Sequence, residues 1–178
     1  VGSEMCIRDS IKKGHLEERD VSDDYIDELR KNISLKRPMK ICLDCGNGVG
    51  GVIAPQAFKE IGCEVIELFS EVDGNFPNHH PDPGNPMNLE DLQNKIKETN
   101  ADIGIALDGD ADRVGIVDNS GKIIYPDIQM ILYADQVLMK NKNATIIFDV
   151  KCSNLLKNFI EENSVSYTHL TLPTSSWV

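Results

Sequence analysis

The stretch of sequence that decides the fold is ADIGIALDGDADRVGIVD, at residues 101–118. Nearly every position of 101–107 is apolar, which is typical of a central parallel strand covered by helices on both faces. Three aspartates then alternate with small residues, and a second apolar run follows at 114–117. We therefore expect a buried strand that delivers an acidic loop to the carboxyl edge of a sheet.

Upstream of this stretch the apolar spacing alternates between helical and extended segments. We expect a helix at 23–33 with Ser22 as its N-cap, a strand at 39–45, a glycine turn at 46–51 leading into a helix that ends near 61, and a strand at 64–70. Residues 75–86 are expected to form a long loop, because four prolines in ten residues forbid a ladder or a helix. Asn88 is expected to cap the next helix.

Downstream of the acidic stretch, 114–117 and 122–125 are separated by turn residues and predict a hairpin. A helix should follow Pro126, then a strand at 144–150 and a helix at 153–162. The whole pattern predicts an α/β fold with a mixed, largely parallel sheet flanked by helices, followed by the first βα unit of a further domain.

Composition excludes several classes of function. The formal charge of −11 and the pI of about 4.7 disfavour a nucleic-acid partner, which requires clustered Lys and Arg. We expect no membrane span and no signal peptide, because there is no long apolar run and no basic segment followed by an apolar one, and we expect a cytoplasmic setting by default. Five scattered cysteines, an odd number, suit reduced thiols better than a disulfide framework.

The acidic loop is the strongest candidate for chemistry. Asp108, Asp110 and Asp112 alternate with small residues, so their carboxylates can converge on one hard cation. An EF-hand is excluded, because it needs Gly at the position of Arg113 and Glu at the position of Asn119. A haloacid-dehalogenase-like phosphatase and a solvated acidic turn without a metal both stay open as alternatives.

Two cations are candidates for binding phosphate. Arg113 would bring three carboxylates and one divalent ion to a local charge of zero, so a phosphate could approach without repulsion. Lys151 follows a predicted strand, at another carboxyl edge where an ammonium could meet a phosphosugar. From spacing alone, Arg113 could equally pair with a neighbouring aspartate, and Lys151 could equally be an ordinary exposed lysine.

Two further motifs allow more than one interpretation. Gly46, Gly48 and Gly51 fit G-x-G-x-x-G between a strand and a helix, which is compatible with a dinucleotide site or with a tight, closely packed turn. His79 and His80 are adjacent in an extended loop and should point apart. We therefore expect them to pack the loop rather than share a metal.

Both ends of the chain depart from the α/β pattern. Residues 1–10 and 165–178 show no clear period. They resemble spurious termini of open reading frames from fragmentary environmental assemblies, although a native disordered tail is an alternative. We expect neither segment to contribute to the fold.

Taken together, five motifs resemble bacterial phosphomannomutase/phosphoglucomutase of the phosphohexomutase family, in the family's own order. They are DCGNGVGG at 44–51, EVDGNFPNHHPDPGNP at 71–86, LDGDADRVGIVD at 107–118, IIYPD at 123–127 and FDVKCS at 148–153. The resemblance covers roughly residues 11–164. Family members have four domains; by this resemblance 11–22 would end the first, 23–125 would form the second and 126–164 would begin the third.

The resemblance also implies site residues and an activity. Asp108, Asp110 and Asp112 would bind Mg²⁺, Arg113 would lie near the phosphoryl group, and Lys151 would match the family's active-site lysine. Family members interconvert hexose 6-phosphate and hexose 1-phosphate through a phosphoserine and a hexose 1,6-bisphosphate. Ala111 replaces a glycine that is common in the family.

The family's other functional motifs are not found in this sequence. The Ser-His-Asn run of the phosphoserine loop, the Gly-Glu-x-Ser-Gly-His segment that contacts the sugar and the final phosphate-binding domain are all missing. The chain alone is therefore expected to be inactive. The preference for mannose or glucose and the oligomeric state stay open.

Overall fold

The computed structural model describes residues 14–163 and 167–170. The helices are α1 (Ser22–Asn32), α2 (Ala54–Glu60), α3 (Glu90–Thr99), α4 (Pro126–Lys140) and α5 (Asn154–Glu162). The strands are β1 (Met39–Asp44), β2 (Cys63–Leu68), β3 (Ile103–Leu107), β4 (Val114–Asp118), β5 (Ile123–Ile124), β6 (Ile146–Asp149) and β7 (Tyr167–Leu170). Two short 3-10 turns cover Val49–Val52 and Pro86–Leu89.

The first five strands form one sheet in the order β2-β1-β3-β4-β5. Strand β1 pairs in parallel with both β2 and β3, while β4 is antiparallel to its neighbours β3 and β5. Four of the five strands consequently run in the same direction. The predicted mixed, largely parallel α/β sheet is confirmed.

Helix α3 covers the middle of this sheet and closes its main core. Seven residues of the core are buried together: Cys42, Leu89, Leu92, Ile96, Ala101, Ala106 and Val117. Gly104 of β3 lies directly under α3, where a Cβ atom would come within 3.0 Å of the Leu92 side chain. A side chain at this position would force Leu92 and Ile96 to repack, so glycine lets α3 lie close to the sheet here.

A second, smaller layer follows along the chain. Helices α4 and α5 pack on β6 around a core of Ala134, Ile146, Phe148, Leu156 and Ile160. Strand β7 pairs in parallel with β6, from Ile146 opposite Tyr167 to Asp149 opposite Leu170. This agrees with the predicted start of a further α/β unit.

The expectation that residues 165–178 add nothing to the fold is wrong for Tyr167–Leu170. Strand β6 offers an open edge, and a strand that returns after α5 completes a βαβ unit. The rest of this segment and residues 1–10 lie outside the described residues, and the foreign origin of both ends stays a prediction.

Both predicted helix caps are wrong: the N-caps of α1 and α3 are Val21 and Leu89, and Asn85 caps the 3-10 turn that precedes α3. The carboxylate of Asp20 accepts the backbone N–H of Ser22 at 2.9 Å, and Ser22 is already the first residue of α1. Asn85 accepts the backbone N–H of Met87 at 3.1 Å. The Asn88 side chain instead donates to the carbonyl oxygen of Asp82 at 2.9 Å.

Two expectations from composition can be compared with the described part of the chain. The four cysteines within it, Cys42, Cys45, Cys63 and Cys152, are all free thiols. None of the helices within residues 14–163 combines the length and apolar character needed to cross a bilayer.

An ion pair fixes the start of β1 against the start of β3. Arg37 donates from its two terminal nitrogens to the two oxygens of Asp102, at 2.7 and 3.1 Å, and the backbone N–H of Lys40 donates to the same carboxylate at 2.8 Å. These bonds, led by those from Arg37, lower the pKa of Asp102 to about 2. Because the folded pKa is depressed, the stabilisation is present above the ordinary pKa and is lost as pH falls towards 2.

We therefore expect Asp102→Asn to lower the free energy of unfolding at pH 7, with a difference that shrinks between about pH 4 and pH 2. Urea unfolding followed across this range measures the difference. Asp135→Asn is the control, since it removes the same charge from a residue without an ion pair within residues 14–163. A difference for Asp102→Asn that stayed constant down to pH 2 would contradict the assignment.

Candidate functional site

Three loops meet at the carboxyl edge of the five-stranded sheet, because they follow three adjacent parallel strands. The glycine turn, residues 45–51, follows the central strand β1. The proline-rich loop, residues 69–86, follows β2 on one side, and the acidic loop, residues 108–113, follows β3 on the other. Such an edge is where open α/β sheets bind their ligands.

The acidic loop brings its three aspartates together. One carboxylate oxygen from each of Asp108, Asp110 and Asp112 lies within 4.8 Å of the others. Asp108 is fully buried, whereas Asp110 and Asp112 are exposed. The loop reverses at Ala111, which has a φ of 62° and donates its backbone N–H to the Asp108 carbonyl at 3.1 Å.

Arg113 binds the buried carboxylate with two donors. Its backbone N–H donates to Oδ1 of Asp108 at 2.9 Å, and its Nε donates to Oδ2 at 2.7 Å. Burial alone would raise the pKa of Asp108, but these hydrogen bonds more than offset it and the pKa is lowered. The same contact raises the pKa of Arg113. The sequence left open that Arg113 pairs with Asp110 or Asp112; its shortest ion pair is with Asp108.

The three carboxylates fit a divalent cation. The hydrogen-bonded neighbour Asp108, followed by the negative charge of Asp110, raises the pKa of Asp112. Crowded carboxylates of this kind repel one another unless a cation lies between them. Carboxylate oxygens are the ligands that hard ions such as Mg²⁺ prefer.

The glycine turn packs directly on the acidic loop. A Cβ atom on Gly48 would come within 2.7 Å of the Gly109 carbonyl oxygen, and one on Gly50 within 2.7 Å of the Leu107 side chain. The backbone N–H of Val49 donates to the same Gly109 carbonyl at 3.0 Å. The acidic loop thus lies against the turn at the side where a dinucleotide phosphate would have to approach, and the packing interpretation of these glycines is favoured.

A buried pair joins the proline-rich loop to β1. Asp44, the last residue of β1, is fully buried, and its carboxylate lies 3.1 Å from Nε2 of His79. Burial raises the pKa of Asp44, while His79 and the backbone N–H of Gly46 act in the opposite direction. Phe69 meets the His79 ring edge-on at 5.3 Å. His79 therefore packs the loop, as expected, and is not part of the acidic cluster.

Asparagines add a second attachment between the same loops. Asn47, at a φ of 57°, donates from its amide to the Glu71 carbonyl at 2.8 Å and accepts from the Asn78 amide at 2.7 Å. Asn tolerates the left-handed backbone that this turn needs. The proline-rich loop is thus fixed to the glycine turn through Asn47, whose backbone also bonds to Phe69 and Asp73.

The proline-rich loop then reaches the acidic loop. A Cβ atom on Gly109 would come within 3.4 Å of Pro81 and 3.7 Å of Phe76. Asp82 accepts a hydrogen bond from Nη1 of Arg113 at 3.2 Å. Sequence reasoning missed Asp82 as a site residue. The prolines around it predicted a long loop, but no spacing pattern connects Asp82 to Arg113.

Lys151 lies apart from the first sheet, in the turn after β6. Its backbone N–H donates to the Asp149 carboxylate at 2.8 Å, and its side chain is exposed and makes no ion pair within residues 14–163. Asp127, at the start of α4, accepts the backbone N–H of Ser153 at 3.1 Å and holds this turn. The structure thus groups the three aspartates with Arg113, and an active-site role for Lys151, which the family resemblance implies, stays a prediction.

The profile of the phosphoglucomutase/phosphomannomutase alpha/beta/alpha domain II matches residues 23–121. The chain belongs to this family. It is 56% identical over 159 residues to a phosphomannomutase/phosphoglucomutase of Pseudomonas aeruginosa, a match that covers 85% of this chain and 34% of the relative. It is 53% identical over 152 residues to a phosphoglucomutase of Neisseria gonorrhoeae, covering 85% of this chain and 33% of the relative.

A solved structure shows the same fold. It is that of a phosphoglucomutase/phosphomannomutase family protein from Burkholderia thailandensis, with a TM-score of 0.84 and 48% identity. The match covers 88% of this chain and 34% of the solved one. The chain therefore spans about a third of the length of the relatives that it matches.

Ala111 gives a test of the acidic loop's backbone. A φ of 62° is disfavoured for alanine and free for glycine, so we expect Ala111→Gly to raise the free energy of unfolding, by up to about 1 kcal/mol after the greater flexibility of unfolded glycine is taken into account. Urea unfolding measures this change. Ala134→Gly, within α4, is the control and should destabilise by about 1 kcal/mol or more. A clear loss of stability in Ala111→Gly would contradict the described loop.

Proposed function

We propose that this chain is part of a phosphohexomutase that interconverts hexose 6-phosphate and hexose 1-phosphate, with mannose, glucose or both as the sugar. The observation that carries the proposal is the convergence of Asp108, Asp110 and Asp112 beside Arg113, in a chain of this family. The relatives named as phosphomannomutase/phosphoglucomutase and phosphoglucomutase support the substrate class. In this proposal the phosphoserine and the sugar contacts lie outside this chain.

The three aspartates would hold Mg²⁺, which when bound would supply positive charge beside the transferring phosphoryl group. The residues of this chain would orient the reactants. Buried Asp108 fixes Arg113 through two hydrogen bonds, so that the guanidinium is pre-organised as a donor to a phosphate. Exposed Asp110 and Asp112 leave the site open to solvent on one side.

The structure changes the charge balance expected from the sequence. Asp82 adds a fourth carboxylate beside Arg113, so one divalent ion and Arg113 leave the site with one net negative charge. A further cation would restore neutrality before a phosphate arrives. We propose that Lys151 is this cation and that it both binds substrate and takes part in catalysis, as the family resemblance implies.

The remaining parts of the proposal concern setting and partners. A cytoplasmic location and hexose phosphates as the ligands fit a family of sugar-phosphate enzymes, and the net charge of −11 disfavours nucleic acid. A dinucleotide-binding domain is the second candidate. It is less well supported, because the glycine turn is packed against the acidic loop.

The metal site can be tested on this chain. Asp110→Asn removes one formal charge from a hard-ion site, and we expect it to weaken Mg²⁺ binding by at least roughly tenfold. Calorimetry measures the affinity, with Asp135→Asn as the control of equal charge. Unchanged affinity in Asp110→Asn would favour a solvated acidic turn that binds no metal.

The activity can be tested with a chimera in which residues 14–163 replace the matching third of the Pseudomonas aeruginosa relative. We expect the chimera, supplied with Mg²⁺ and hexose 1,6-bisphosphate, to convert mannose 1-phosphate to mannose 6-phosphate. We expect the present chain alone to show no such activity. Lys151→Met should lower kcat/KM of the chimera by roughly a hundredfold, and Lys157→Met, on α5, should not. Turnover by the chain alone, or full activity in Lys151→Met, would contradict this assignment.

A further inference from the structure

We propose that Asp82 is a positioning residue for Arg113, and that the proline-rich loop is built to present its carboxylate. This inference rests on the proposed function, since it concerns how Arg113 is aimed at a phosphate. Asp82 is not one of the three converging aspartates, and Arg113 is the site residue to which its carboxylate is hydrogen-bonded within residues 14–163.

Asp108 by itself leaves the guanidinium incompletely fixed. It binds the backbone N–H of Arg113 and, of the guanidinium itself, only Nε. Asp82 approaches from another loop and binds Nη1 at 3.2 Å. Two carboxylates on different sides define the plane of a rigid guanidinium, whereas one leaves it free to tilt. Within residues 14–163, Nη2 has no such partner, so it can donate to an incoming phosphate.

Asp82 is itself held by further hydrogen bonds within its own loop. Its Oδ1 also accepts the backbone N–H of Gly84 at 3.1 Å, and its carbonyl oxygen accepts the Asn88 amide at 2.9 Å. Its own N–H donates to the His80 carbonyl at 2.8 Å. The Gly84 bond restrains the carboxylate and the other two bonds restrain the backbone, so the carboxylate is in place before Arg113 meets it.

The loop that carries Asp82 is anchored three residues earlier. Asp44 and His79 form their pair in the interior, with the Asp44 side chain 1% exposed and the His79 side chain 14% exposed. On the other side of Asp82, Pro83 lies against Gly115 of β4, where a Cβ atom would come within 2.7 Å of it. The loop is thus anchored on both sides of Asp82, by the Asp44–His79 pair before it and by the contact of Pro83 with β4 after it.

A contribution to stability does not explain this arrangement. The side chains of Arg113 and Asp82 are 62% and 36% exposed, and ion pairs this open stabilise a fold little. Asp82 moreover adds a negative charge at a site proposed to receive phosphate, which is unfavourable for binding. Orientation of Arg113 is the property that this carboxylate can supply.

The test combines substitutions at both residues in the chimera. Asp82→Asn should lower kcat/KM for mannose 1-phosphate on the order of tenfold, within the roughly hundredfold that an ångström of misplacement can cost. Asp82→Glu should recover part of the loss. Glu71→Gln is the matched control, since it removes an equal charge from the same loop without contact to Arg113.

A double-mutant cycle separates positioning from a structural role. In the Arg113→Ala background, Asp82→Asn should have no further effect on kcat/KM, because its only route to the substrate has been removed. Mg²⁺ affinity should stay within about twofold in Asp82→Asn. Additive losses in the cycle, or a loss in Glu71→Gln equal to that in Asp82→Asn, would overturn the inference.

A spectroscopic measurement on the present chain distinguishes failure of this inference from failure of the proposed function. In the wild type, the bond to Asp82 should slow rotation of the Arg113 Nη1 group, so that its two hydrogens give separate NMR signals. In Asp82→Asn these signals should average, while the Nε–H signal is retained because Asp108 still accepts its hydrogen bond. An inactive wild-type chimera would reject the proposed function alone. Averaged Nη1 signals already in the wild type would reject the positioning role alone.

Discussion

The site depends on one interaction, the double hydrogen bond between Arg113 and the buried carboxylate of Asp108. It closes the acidic loop, because the residue that ends the loop binds the residue that begins it. It also keeps Asp108 ionised in the interior, since two charge-assisted bonds outweigh the cost of burial. With both ends of the loop fixed, Asp110 and Asp112 are left to face solvent beside Asp108.

Parallel strand order explains why these features gather at one place. Strands β2, β1 and β3 are neighbours that end at the same edge, so the loops that follow them must meet there. The local sequence was enough to predict this much. The apolar run of β3 and the alternating aspartates after it are both signals within about twelve residues, and short-range patterns of this kind specify an element and its exit point.

What the sequence could not predict depends on contacts over longer separations. Asp82 and Arg113 are 31 residues apart, and Asp44 and His79 are 35 apart, so no period or motif connects them. The caps failed for a local reason: α1 begins at Ser22 itself, and a 3-10 turn capped by Asn85 precedes α3 and includes Asn88. The glycine motif at 46–51 is compatible with a dinucleotide site or with a packed turn, and the contact with the acidic loop, which the sequence does not reveal, favours the packed turn.

The contact between the glycine turn and the acidic loop is made by backbone on backbone, with Gly48 against Gly109 and the N–H of Val49 on the Gly109 carbonyl. At Gly48 the nearest atoms of the acidic loop are all backbone, whereas Gly50 packs on the side chains of Leu107 and Ala111. The distance between the two loops at Gly48 is therefore set by van der Waals contact of two backbones and by one hydrogen bond, and rotamer changes on the nanosecond scale do not alter that contact. Two glycines thus hold the charged, solvent-exposed acidic loop at a defined distance from the glycine turn.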